Sequence, residues 1–219
     1  MPITLDADLH PSLYPLAWLV GSWRGTGAVQ LSAEDGEGQG RRIEQELSAR
    51  DAGDGTLAWS MRTWVLDAPP PLPPTSVFAN GPADPEAEDA ADRSADDAAL
   101  ERRLLISEKG TWRVLGPVPG QDLEAAAAAK PGSPAAIVSY QLEARIEDDR
   151  GTVEVFAGEV RGPRIQLAAD HVGRTGPHPG HERTTRMFGL VGGRLMWLID
   201  RAAEGEPLTT WMSAELDRA

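Results

Sequence analysis

Leu16-Ala17-Trp18-Leu19-Val20-Gly21-Ser22-Trp23-Arg24-Gly25-Thr26-Gly27 is the stretch that decides the fold. An apolar lead-in passes through three glycines into a strand, with one large ring, Trp23, set among them. Gly21, Gly25 and Gly27 leave room for a neighbouring segment to come close where a side chain would clash. The Trp23 ring must be buried against something. Because strand-like segments joined by turns follow, the run predicts a small antiparallel barrel closed at one end by the tryptophan.

Working outward, Ile43, Gln45, Leu47 and Ala49 alternate with Glu44, Glu46, Ser48 and Arg50, the period of a half-buried strand. Asp51-Ala52-Gly53-Asp54-Gly55 is turn chemistry, and residues 57–66 read as the next strand. Residues 103–107 and 111–115 flank Glu108-Lys109-Gly110, which predicts a hairpin turn there. Residues 137–146, 152–160, 164–172, 186–191, 194–200 and 207–217 read as further strands. Gly192-Gly193 is a two-residue loop suited to a primed hairpin turn. Short strands at regular spacing, with little helical periodicity, predict an all-β fold. Two insertions interrupt a single domain spanning 1–219. Residues 68–101, rich in Pro, Ala and Asp, are too acidic and too poor in apolar groups to order themselves. Residues 116–136 carry an alanine run that favours a short helix.

The 219 residues carry a net charge of −13, which argues against a nucleic-acid partner. Absence of cysteine excludes disulfides, thiolate metal sites and a cysteine nucleophile. No apolar run approaches the roughly 20 residues that span a bilayer, and the first residues show no basic-then-apolar leader. These features predict a cytoplasmic protein without a membrane partner.

Gly21-Ser22-Trp23-Arg24-Gly25-Thr26-Gly27 fits the pattern GxWxGxG, and with it the chain resembles the nitrobindins. These are up-and-down antiparallel barrels of about ten strands, calycin-like and related in shape to fatty-acid-binding proteins. His10-Pro11 with residues 15–20 resembles that family's lead-in. Trp64-Val65-Leu66-Asp67, residues 153–159, Leu195-Met196-Trp197 and Met212-Ser213-Ala214-Glu215-Leu216 resemble its later strands. The resemblance implies ferric heme b held by a histidine on the last strand, and isomerisation of peroxynitrite to nitrate. Here Trp211 stands where that histidine is expected. An indole N–H donates and offers iron no lone pair, and strict alternation predicts that Met212 faces away if position 211 faces in. Leu31-Ser32-Ala33 likewise replaces a Tyr-Pro-Thr segment. The resemblance therefore implies a subgroup that keeps the barrel without the heme ligand, with no cofactor and an interior that holds a small apolar ligand or is filled by Trp59, Trp64, Trp197 and Trp211.

Other candidates rank below this. His171 shares a predicted strand face with Ile165, Leu167 and Ala169 and is a candidate pocket residue or substitute iron ligand; Tyr140 is a second. His178 and His181 lie in a Pro/Gly-rich loop that forbids the helix their spacing would need, so no metal site is expected. No carboxylate pair, nucleophile elbow or phosphate loop is present, so no catalytic set is expected. Two rival functions stand beside the main reading: a heme-binding peroxynitrite isomerase using a substitute ligand, and an interaction module working through the acidic insertion.

Overall fold

Alternating inward apolar and outward polar residues wrap the chain into a closed barrel in the computed structural model, which describes residues 8–31, 40–67, 101–169, 172–174, 183–203 and 205–219. The strands are β1 (Gly21–Gln30), β2 (Gly40–Asp51), β3 (Leu57–Leu66), β4 (Arg102–Pro117), β5 (Ser139–Asp148) and β6 (Thr152–Arg161). They continue as β7 (Arg164–Ala169), β8 (Val172–Arg174), β9 (Arg183–Val191), β10 (Arg194–Ala202) and β11 (Thr209–Arg218). β1 to β7 pair antiparallel in chain order, as do β9 to β11; β7 also pairs with β9, and β1 closes the ring against β11. β7 and β8 pair with successive parts of β6 and act as one interrupted strand, which gives a ten-stranded up-and-down barrel. Closure removes the free edges that would template aggregation.

The 3-10 helix Pro11–Leu16 plugs one end, burying Leu13 and Leu16. Trp23 is buried above it, its Nε1 donating to the Leu19 carbonyl at 2.9 Å. Arg218, the last residue of β11, lays its guanidinium over the Trp23 ring at 4.4 Å and donates to the carbonyls of Val20 and Trp18. A Cβ on Gly25 or Gly27 would run into the backbone of Glu215 or Ser213, so these glycines are what let β1 and β11 close the barrel. At this plugged end the β9–β10 turn, Gly192-Gly193, has both residues at positive φ (61° and 89°), as a primed turn requires.

Two readings of the sequence are corrected here. Residues 102–117 form one long strand and not a hairpin. Gly110 faces Ile146 in mid-ladder, where a Cβ would meet the Arg145 carbonyl at 2.6 Å; it marks a close approach of strands, and Glu108 beside it points into the core. Trp64 lies on the outer surface, between the guanidinium groups of Arg62 and Arg102 at 5.3 and 4.9 Å. The 116–136 region carries a short helix α1 (Leu123–Ala128), N-capped by Asp122, whose carboxylate accepts from the Ala125 N–H. Gln121 ties this excursion to the barrel by bonding Val118 and Ser139. Apart from Glu101, the 68–101 insertion lies outside the described residues.

Candidate functional site

The barrel interior is divided by chemistry. Its middle is an aromatic stack: Trp59 lies 5.9 Å from Trp112, Trp112 meets Phe188 edge-on at 5.4 Å, and Phe188 stacks on Trp197 at 5.9 Å. Beside the stack, Trp197 Nε1 donates to Gln45 Oε1 at 3.0 Å, and Gln45 Nε2 donates to Thr63 Oγ1 at 2.9 Å. Toward the opposite end, where β1 runs out and β11 begins, the inward positions turn charged.

There Arg186 of β9 is only 1% exposed, and Glu108 of β4 only 3%. One nitrogen of Arg186, Nη2, donates both to Glu108 Oε1 at 2.6 Å and to Glu154 Oε2 of β6 at 2.7 Å. Thr184 Oγ1 donates to the other oxygen of Glu154 at 2.7 Å. Burial pushes the Arg186 pKa down, but the two carboxylates more than offset this and hold it above its usual value. Arg186 Nε and Nη1 and Glu108 Oε2 have no hydrogen-bond partner.

Arg201 follows Leu195, Trp197 and Ile199 on the inward face of β10. Its guanidinium lies 3.5 Å from the centre of the Trp211 ring, a close cation–π stack. Burial pulls its pKa down to about 10, against the upward pull of Glu154. Among the described residues no carboxylate lies within ion-pair distance of it, and its Nε has no partner.

Trp211 occupies a break in the ladder: Ile199 pairs with Met212 and Asp200 with Thr210, so Trp211 is the extra residue of a bulge. This corrects the reading of Met212. The bulge resets alternation, and Met212 is buried on the inward face with Ala214 and Leu216, its sulfur accepting from Gln45 Nε2 at 3.2 Å. Tyr140 sits at the start of β5, opposite Pro117 and Val160, at the plugged end and far along the barrel from Trp211. It lines a groove of about 670 Å³ with Tyr14, Trp18 and Ile137. His171, His178 and His181 lie outside the described residues, as do Ser32 and Ala33. His10 caps the 3-10 helix, its Nδ1 2.8 Å from Ser12 Oγ and its backbone N–H bonded to Asp51.

Sequence reading missed Trp112, Glu108, Glu154 and Arg186. The signal for Arg186 was present: it shares the parity of Phe188 and Leu190 on one strand face.

The fold is a closed ten-stranded antiparallel barrel with an aromatic middle and a charged end. The chain belongs to the family described as THAP4-like, heme-binding beta-barrel domain, whose model matches residues 12–218. It is 35% identical to a ferric nitrobindin-like protein of Beutenbergia cavernae, over 100% of this chain and 99% of the relative. It is 31% identical to a peroxynitrite isomerase of Leifsonia xyli subsp. xyli, over 99% of each. In fold it is similar to the crystal structure of Rv2717c from M. tuberculosis, with a TM-score of 0.57 and 22% identity over 97% of this chain and 99% of that one. Among the described residues, no helix is long and apolar enough to cross a membrane.

Proposed function

We propose that this chain is a nitrobindin-like barrel that does not hold heme through a histidine of its last strand, and that its charged end takes a small ligand instead. The observation that carries this reading is the stack of Arg201 on Trp211 at 3.5 Å. The family resemblance assigns position 211 to the ligating histidine, and an indole nitrogen has no lone pair for iron. A cation lies against the face of that ring, and the thioether of the next residue, Met212, is engaged by Gln45. The described residues at this end therefore do not fit an iron porphyrin held by imidazole.

The aromatic stack fills the middle of the barrel, which directs any ligand to the charged end. A wholly apolar ligand there, the one expected from the resemblance, would meet the guanidinium of Arg201, whose Nε has no hydrogen-bond partner.

Titration with hemin tests the reading. Wild-type protein is expected to give no sharp Soret band at one equivalent. Trp211→His is expected to gain a stoichiometric complex with a histidine-type ferric spectrum. The rival reading, a peroxynitrite isomerase using a substitute ligand, draws on the relatives that carry that name. A sharp Soret band in the wild type, together with conversion of peroxynitrite to nitrate, would establish it, and loss of that band in His171→Ala would locate the ligand.

A further inference from the structure

We propose that the outer wall of the barrel across β9 and β10 is the contact face of a two-fold homodimer of this chain. The proposal concerns the outside of the barrel and stands independently of what the interior holds. Met187 and Leu198, paired across the ladder, form an apolar strip on that wall with Met196, which is 45% exposed, and Val191, which is 60% exposed. Beside the strip runs a groove of about 800 Å³ lined by the small residues Gly27, Ala28, Gly189 and Ser213. An apolar strip of this kind, rimmed by charge, has the anatomy of a contact between proteins.

The strand register says which partner fits. One row of outward positions crosses the wall as Arg164 on β7, Gly189 on β9, Met196 on β10 and Glu215 on β11. A two-fold axis parallel to the strands, between β9 and β10, lays this row against itself in reverse. Met196 of one copy then stands over Gly189 of the other, and Arg164 over Glu215, with each contact made twice. Gly189 provides the hole for the methionine. A Cβ there would meet nothing nearer than the Pro163 carbonyl at 3.8 Å, so the barrel's own packing does not demand this glycine as it demands Gly25 and Gly27. A strand-interior glycine with open space above it suits the close approach of a second surface.

The charges match in the same sense. On the β11 side Glu215 and Asp217 share one base, Arg194, which leaves an excess negative charge. On the β7 side Arg164 has no carboxylate within ion-pair distance among the described residues, and its Nη2 lies 3.6 Å from Met187 Sδ at the edge of the strip. One row further on, the same axis sets Arg194 over Val191 and not over a second cation. A different protein would need its own matching row; a second copy brings it by symmetry.

The test is sedimentation velocity on the full chain over a wide range of protein concentration. Wild type is expected to sediment as a monomer–dimer equilibrium. Arg164→Glu and Glu215→Arg each set like charges face to face twice and should weaken the dimer by about tenfold or more, with unchanged circular dichroism. Mixing these two variants makes every facing pair opposite in charge again, so a heterodimer of wild-type strength should reappear. Gly189→Leu adds an outward side chain that the barrel has room for, fills the hole and should also leave monomer. A wild type that stays monomeric at every concentration overturns the proposal, whatever else covers the face. So does a dimer that Gly189→Leu and both charge variants leave intact, which would lie on another face. A mixture no more associated than its separate components overturns the two-fold pairing of Arg164 with Glu215, and the proposal with it.

Discussion

Arg186 concentrates in one side chain what holds the upper core together. It joins β9 to β4 and β6 through two carboxylates in a setting with almost no water. Removing one partner of a buried ion pair leaves uncompensated charge, which costs about 3–5 kcal/mol. Arg186→Met is therefore expected to lower the urea midpoint sharply at neutral pH. Adding Glu108→Gln and Glu154→Gln should recover much of the loss. An unchanged midpoint would mean the triad contributes nothing to stability. Such a residue is half legible in sequence. Parity places Arg186 on the face of Phe188, but a charged residue on an inward face looks like an error until its partners, 78 and 32 residues away, are known.

At the scale of elements, legibility follows how local the cause is. Strand β3 matches its reading because its apolar alternation and flanking turn signals are contained in the segment itself. The break expected in β4 came from Glu-Lys-Gly, which is turn chemistry by composition. What overrides it is tertiary: Arg186 receives Glu108, and β5 packs so close that Gly110 is required. The bulge at Trp211 is non-local too, since it exists only as a mismatch between β10 and β11. At the seam, Trp23 and Arg218 bind the two strands that close the ring. Trp23→Ala removes the ring beneath Arg218 and the bond to Leu19, and is expected to cost about 3–5 kcal/mol. Thermal unfolding checks this; an unchanged midpoint would show that the seam does not depend on the ring.

For the molecule as a whole, the barrel ladder is complete without the acidic insertion. The Asp67 N–H bonds the Glu101 carbonyl at 3.2 Å, so β3 and β4 are tied together at the base of the excursion. Loop length costs stability only logarithmically, and deletion of residues 83–97 is expected to leave the β-type far-ultraviolet spectrum and the thermal midpoint nearly unchanged. Collapse of that spectrum would make the segment part of the fold. The aromatic stack has a consequence of another kind. Indole and phenyl rings spaced 5.4 to 5.9 Å apart at fixed tilts are coupled chromophores in a chiral setting. They are expected to give the native protein an intense near-ultraviolet dichroic signature, one that vanishes when packing loosens while strands persist. The barrel thus carries its own optical gauge of core order, readable without any label and separate from the signal of its sheet.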